Sequence, residues 1–162
     1  MENSRKGKTE IATFGAGCFW QVEDTYMDVE GVKETTVGFM GGHVESPTYE
    51  NVCTDQTGHA EVTQIKYDSD EISYDDSLKV FWENHDPTTI DGQGPDVGSQ
   101  YRSVIFFHTP EQEKLARESK KKMDKSNKFN EHIVTEISQA EEFYKAEEYH
   151  QKYVQKQGLS KH

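Results

Sequence analysis

Cysteine is scarce in this chain of 162 residues, with one at position 18 and one at position 53. Two cysteines make no disulfide framework. They point to a reducing, cytoplasmic setting, where a cysteine is catalytic, metal-binding or inert rather than bridged. Basic residues are also few: 18 Lys and Arg against 30 Asp and Glu leave a formal net charge of −12. Nucleic-acid phosphates and anionic membrane surfaces call for a basic face, so neither is expected as a partner. No apolar run approaches the ~18 residues of a membrane span. The opening MENSRKGKTE lacks the apolar stretch of a signal peptide. Leu, Ile, Val and Phe together number 30 of the 162 residues, below the ~20% at which a highly charged chain is suspected of disorder. The 18 aromatics and 12 glycines sit in patterned segments, which argues against disorder and predicts a small, aromatic-rich core. CxxC, HExxH and close His pairs are missing, so no metal is expected. The GAG turn at 15–17 lacks the Walker and full dinucleotide patterns, so nucleotide binding is not expected either.

What is present reads as one α/β or α+β domain over residues 1–162. Residues 1–8 are a loose polar lead-in and 154–162 a loose tail. EIATFGAG (10–17) reads as a strand entering a glycine-rich turn. Phe19, Val22, Tyr26 and Val29 then fall at helical spacing. Strands are expected at 32–40, 59–68, 101–108 and 132–138. Ser73 with Asp76 resembles a capping box, opening a helix whose inward stripe is Leu78, Phe81, Trp82 and His85. Thr109-Pro110 opens another helix, with Gln112 completing its box. Segment 42–53 is turn-rich and unassigned, and 140–155 reads as a loop followed by a helix. Residues 86–100 form a loop long enough to suggest function.

Cys18 follows Gly15-Ala16-Gly17 at a strand-to-helix turn. Free N–H groups and the macrodipole at a helix N-terminus stabilise a thiolate, which lowers the pKa and makes the sulfur nucleophilic. The alternative is a small residue buried in the turn. Phe19 and Trp20 cannot both face the core, so one of them lines a pocket beside Cys18. Glu61 lies on a partly apolar strand face. It is either exposed at a rim, the usual case, or buried with a raised pKa and able to donate a proton. His59 is a base for Cys18 or a turn residue. Asp96, Tyr101 and Arg102 belong to the long loop and the strand after it, where an Asp is commonly only turn chemistry.

In order along the chain, GCFW (17–20), PTYENVC (47–53), GHAEV (58–62), HDPT (85–88), GPDVGSQYRS (94–103), IVTEI (133–137) and AEEYHQKY (146–153) resemble the type A peptide methionine sulfoxide reductases. The likeness spans residues 10–153. It implies a single-domain α-β plait with a central, largely antiparallel sheet packed by helices. It implies thiol-dependent reduction of methionine-S-sulfoxide, free or in proteins, without metal or organic cofactor and with thioredoxin as reductant. By motif position Cys18 is the nucleophile, Phe19 and Trp20 hold the substrate methyl, and Tyr49 and Tyr101 bond the sulfoxide oxygen. Glu61 is the acid beside them and Asp96 a polar loop residue of the site. The chain departs from the family where a resolving cysteine often stands near the C-terminus, since no cysteine follows Cys53. Cys53 occupies a position that is usually structural, so either an external thiol attacks directly or Cys18 and Cys53 form an unusual bridge. Phe39 and Ser46 replace a frequent Tyr and Asn.

Two other functions fit parts of the pattern. A Cys–His acyl-transfer or hydrolytic enzyme would use Cys18 and His59, but leaves Glu61 and both tyrosines without roles. A binding module would leave both cysteines inert. A monomer is expected.

Overall fold

A computed structural model describes residues 9–126, 128–129 and 131–157. The lead-in at 1–8 and the tail positions 158–162 lie outside them. Eight strands and five α-helices are described: β1 (Thr9–Ala16), α1 (Phe19–Met27), β2 (Val32–Met40), α2 (Tyr49–Cys53), β3 (Ala60–Asp68), α3 (Tyr74–Glu83), β4 (Gly92–Gln93), β5 (Asp96–Val97), β6 (Ser103–Phe107), α4 (Pro110–Lys125), β7 (Glu136–Gln139), β8 (Tyr144–Lys145) and α5 (Tyr153–Lys156). Six strands form one sheet in the order β7-β6-β1-β3-β2-β8, and β4 with β5 forms a separate two-stranded ribbon. Every pair in the main sheet is antiparallel except β6 with β7. This is the mixed, largely antiparallel sheet implied by the resemblance. No helix of the described residues is long and apolar enough to cross a membrane.

With so few aliphatics, the core is built from rings. Phe14 on the central strand stacks on Tyr26 of α1 at 5.5 Å between centroids and on Tyr74 at 6.2 Å, and it tilts against Phe81 at 5.3 Å. Such pairs each add about 0.5–1.5 kcal/mol beyond burial alone. These residues join Ile65, Leu78, Trp82, Ile105 and Ala116 on the helix-covered face. The opposite face buries Met40, Ala60, Val62, Val104 and Phe106 under Ala140 and Phe143.

Local chemistry sets most boundaries. Ser73 and Asp76 form both halves of the expected capping box. Thr109 accepts from the Gln112 N–H, but the Gln112 side chain reaches past the cap to the His108 N–H and the Ile11 carbonyl, tying α4 to β1. α3 stops at Glu83, so His85 leaves the expected stripe and folds back onto the Phe81 carbonyl and the Ser103 hydroxyl, both at 2.7 Å. The strand expected over 132–138 begins only at Glu136, because the Val134 N–H is taken by the Pro87 carbonyl. In the unassigned 42–53 segment, Thr48 and Asn51 cap the one-turn helix α2. Ser46, where the family often has Asn, adopts φ 47°, a left-handed conformation that Asn tolerates better. Val154, expected in the loose tail, is buried in α5.

Beyond β8 the sheet edge is continued by a side chain. Gln151 accepts from the Val37 N–H at 2.9 Å and donates to the Val37 and Ala146 carbonyls at 3.0 Å each. Its amide thus replaces a missing rung and fixes residues 146–151 against β2. Gln151→Leu strips the buried Val37 N–H of its acceptor, and an orphaned buried group costs about 1–3 kcal/mol. The expected outcome is a lower urea midpoint with an unchanged slope; an unshifted midpoint would show that the amide contributes nothing.

Candidate active site

The site gathers at the sheet end where β1 finishes while β3 and β6 begin. β1 stops at Ala16 opposite Ser103. Gly17 then turns at φ 98° with a Gln93 methylene 2.8 Å from where a Cβ would stand, so both conformation and space call for glycine. Cys18 is extended at φ −62°, ψ 123° and is the N-cap of α1, its carbonyl accepting from Gln21 and Val22. The N–H groups of Trp20 and Gln21 pull the thiol pKa down, but burial, followed by the charge of Glu61, outweighs them and pushes it up to about 11. The thiolate expected from the helix terminus alone is therefore not the resting form. The first turn of a nine-residue helix does not offset the desolvation of a half-buried sulfur.

Glu61, one residue into β3 and opposite Phe39, is 1% exposed. The rim position expected for an isolated strand Glu is wrong, because Phe19 and Phe39 close over this strand end. One oxygen, Oε1, accepts from the Phe19 N–H at 3.1 Å. The other, Oε2, is buried and has no partner. Burial raises the carboxyl to about 8, opposed by the Phe19 N–H and assisted by the charge of Asp96. At neutral pH Glu61 is thus mainly a neutral acid, and its push on the Cys18 thiol is largely absent.

Two phenols share this region. Tyr49 opens α2, and its N–H is held by Glu147 at 3.2 Å. Burial first, then a hydrogen bond to the Cys53 sulfur, raises its hydroxyl far above the tyrosine range. Positions 49 and 53 are one helical turn apart, which brings the two side chains together. Tyr101 ends a 3-10 turn, Ser99–Tyr101, directly before β6. Burial first, then Glu61, Cys53, Asp96 and Cys18 in that order, pushes it up to about 12. Both tyrosines are donors at neutral pH. Asp96 sits on the β5 ribbon and, with Ala16, Gln21 and Gln93, lines a cavity beside Cys18. Arg102 does not face the thiol but ties the loop together, donating to the Ser99 and Gly58 carbonyls and pairing with Glu136.

The two adjacent aromatics differ in burial. Phe19 is buried against Phe39 at 5.6 Å and Tyr49 at 6.2 Å. Trp20 is half-buried, 6.2 Å from Tyr49 and stacked on Tyr153 at 3.9 Å. Cys53 is exposed, and neither cysteine is in a disulfide. His59 is no base for Cys18: one ring nitrogen accepts from the Gly42 N–H and the other bonds the Val44 carbonyl, so the imidazole clamps the loop after β2. Sequence reasoning missed two participants, Glu147 and His150. They stand in AEEYHQKY, but no spacing marks them, because their neighbours are at positions 20 and 49. Among the described residues no three His, Cys, Asp or Glu side chains converge as metal ligands would.

Around Cys18 the charges of Glu61 and Asp96 thus act on the sulfur, that of Glu61 acts on both phenols, and the Phe19 and Trp20 rings lie against Tyr49. Such a set can attack a soft electrophilic atom while protonating a polar oxygen on it. A family model for peptide methionine sulfoxide reductase matches residues 10–162. The chain is 62% identical over 149 residues to peptide methionine sulfoxide reductase MsrA of Methanoculleus marisnigri, covering 92% of this chain and 91% of that one. It is 58% identical over 147 residues to the MsrA of Methanothermobacter thermautotrophicus, covering 91% and 87%. In structure it is similar to the reduced form of Mxr1 from Saccharomyces cerevisiae, with a TM-score of 0.86 at 34% identity over 94% of this chain and 88% of that one.

The charge coupling between Glu61 and Cys18 is open to test. Alkylation of Cys18 by iodoacetamide, followed across pH by peptide mass mapping, is expected to show a midpoint far above that of an ordinary thiol. In Glu61→Gln the midpoint moves down, because the second cause of the raised thiol pKa is removed. An unmoved midpoint would mean that the two groups do not sense each other.

Proposed function

The chain belongs to the peptide methionine sulfoxide reductase family, and on that premise we propose how its residues reduce methionine-S-sulfoxide, free or within proteins. The sulfoxide methyl rests between Phe19 and Trp20, and the sulfoxide oxygen faces Tyr49, Tyr101 and the free oxygen of Glu61. Cys18 Sγ attacks the sulfoxide sulfur, forming an S–S bond, and its thiol proton passes to the Glu61 carboxylate left when that group protonates the oxygen. Glu61 gives its proton to the oxygen, with the two phenol hydroxyls holding it. Asp96 helps to keep the carboxyl protonated through its charge. The S–S bond and the substrate S–O bond then break as the hydroxyl passes to Cys18 Sγ, leaving the substrate sulfur reduced by two electrons and Cys18 oxidised by two to a sulfenic acid. That is the first rung of cysteine oxidation. The observation that carries the reading is Glu61 Oε2, a buried oxygen without a partner on a carboxyl raised to about 8. It is the unengaged oxygen of an acid whose other oxygen is held by the Phe19 N–H and whose charge acts on the Cys18 thiol.

The reset consumes two external thiols, returning Cys18 to a thiol and releasing a disulfide and water. We assign this step to a protein reductant of the thioredoxin class, a reading supported by the complex of Mxr1 with Trx2. No metal or organic cofactor takes part in this scheme. All the proposed groups come from one chain, so a monomer suffices, and two free thiols suit a reducing, cytoplasmic setting. The Cys–His alternative loses its base, since both nitrogens of His59 are engaged.

Incubation with the separated sulfoxide epimers and dithiothreitol tests the reading. Methionine is expected from the S epimer alone, because pinning the methyl and the oxygen leaves only one hand with its sulfur toward Cys18. Cys18→Ser yields none, since a hydroxyl is far less acidic and far less soft than a thiol. Equal consumption of both epimers, or turnover by Cys18→Ser, would contradict it.

Cys53, which is exposed and in no disulfide, is assigned no resolving role. One equivalent of sulfoxide without external thiol is expected to leave a sulfenic acid on Cys18, read by intact mass as one added oxygen. Cys53→Ser keeps most of its dithiothreitol-driven turnover. A mass loss of two hydrogens in the parent, abolished in Cys53→Ser, would make Cys53 the resolving thiol.

A further inference from the structure

His150 touches none of the proposed reacting atoms, yet it is 1% exposed and packs between the rings of α1 and Tyr49. Its Nδ1 is 2.9 Å from the indole Nε1 of Trp20. Its ring lies 4.2 Å from the Tyr49 ring, 5.5 Å from Phe19 and 5.6 Å from Trp20. We propose that His150 is a positioning residue whose neutral imidazole locks Trp20 by accepting its indole N–H and seats Tyr49 against its ring. It thereby sets the spacing between the wall that holds the methyl and the hydroxyl that holds the oxygen. The inference rests on the reductase reading for what the lock achieves, but the lock itself is a matter of the geometry.

An indole nitrogen can only donate. Nδ1 therefore carries no proton in this arrangement, and the ring proton sits on Nε2. That nitrogen is buried without a hydrogen-bond partner, and the nearest acid oxygen, Glu147 Oε1 at 3.9 Å, is also buried and unpartnered. The second oxygen of Glu147 holds the Tyr49 N–H at 3.2 Å. One stretch of chain thus reaches Trp20 through His150, Tyr49 through both residues, and the sheet edge through Gln151.

The same geometry makes the lock sensitive to acid. A proton on Nδ1 would set two N–H groups face to face and break the bond to Trp20. Four aromatic groups face the ring: Phe19 and Trp20 of α1, Tyr49 of α2, and Tyr149 of its own segment. Among the described residues the acid beside it is Glu147. Burial disfavours the cation and Glu147 favours it; burial prevails and holds the imidazole below the ordinary histidine range. The lock is closed at neutral pH and opens as pH falls through that lowered range.

Two variants separate the two functions. His150→Phe keeps a ring against Tyr49 but leaves the indole N–H without an acceptor. His150→Asn offers an oxygen near the Nδ1 position but no ring. Three readouts are compared in each variant and the parent: kcat and KM for methionine-S-sulfoxide with dithiothreitol, the pH dependence of KM, and the Trp20 indole N–H resonance. In His150→Phe, KM is expected to rise about 5- to 100-fold, the range for one orphaned donor, with the Trp20 resonance displaced. His150→Asn keeps the resonance near its parent position and shows a smaller rise in KM. In the parent, KM and the Trp20 resonance move together with one midpoint below the ordinary histidine range, and this acid limb is absent in both variants. If His150→Phe leaves KM and the resonance unchanged, or if both variants keep the acid limb, the proposal is overturned. Should His150→Phe fail to fold, the parent titration and His150→Asn decide alone: a Trp20 resonance that does not titrate in the parent refutes the lock. A parent that reduces neither epimer but whose Trp20 resonance still titrates would sink the reductase reading and leave the lock standing.

Discussion

The site depends on a buried carboxyl group held by one oxygen. Glu61 accepts a single N–H, from Phe19 at 3.1 Å, and is otherwise enclosed. One hydrogen bond to a charged group contributes about 1.5–3 kcal/mol. A shift from 4.5 to about 8 corresponds to roughly 5 kcal/mol against the ionised form. Burial therefore wins, and the acid keeps its proton at neutral pH. Because the same N–H opens α1, the acid is fixed relative to the residue that follows Cys18. Moving one moves the other.

The rest of the fold serves to keep that strand end closed. The Gly17 turn lets the β1–α1 junction pass beneath Gln93 of the β4–β5 ribbon, which also carries Asp96. The capping box of α2 and the Glu147 contact set Tyr49 over Phe19. Residues 146–151, fixed to β2 by the Gln151 amide, bring Glu147 to the Tyr49 N–H and His150 to the Trp20 indole. Ring-on-ring packing suits a chain with little leucine, because aromatic side chains bury a large area and hold defined orientations.

Much of this was legible in the sequence, for reasons that differ by residue. The capping residues Ser73 and Thr109 act locally, so their helices started where expected. β1, β2 and β3 carry dense apolar and β-branched runs, and their boundaries fell within a residue or so of expectation. Cys18, Phe19, Trp20, Tyr49, Glu61, Asp96 and Tyr101 are legible only through their motifs; Cys18, Tyr49, Tyr101 and Asp96 are coupled in charge to Glu61 or to one another, and Phe19 and Trp20 stack near Tyr49. Their chemistry was less legible. The Cys18 pKa was misjudged because the helix terminus is visible in a sequence and desolvation is not. The burial of Glu61 was missed on the strand pattern alone, since what covers it comes from α1 and β2. α2 was hidden because five residues carry no periodicity, and β7 began late because a contact with Pro87 was nonlocal. Glu147 and His150 act across about 100 residues or more of chain and have no local signature.

Single-turnover reduction of methionine-S-sulfoxide by Glu61→Gln and the parent, followed across pH in excess enzyme, bears most directly on the central role of the buried acid. The amide keeps the shape and can still donate an N–H, but it cannot surrender a proton. The variant is expected to be slower by about 10²–10⁴-fold at neutral pH. The parent rate should decline as pH rises through about 8, where Glu61 loses its proton, and the variant should lack that decline. Equal rates across the neutral range, or the same alkaline decline in both proteins, would show that Glu61 is not the proton donor.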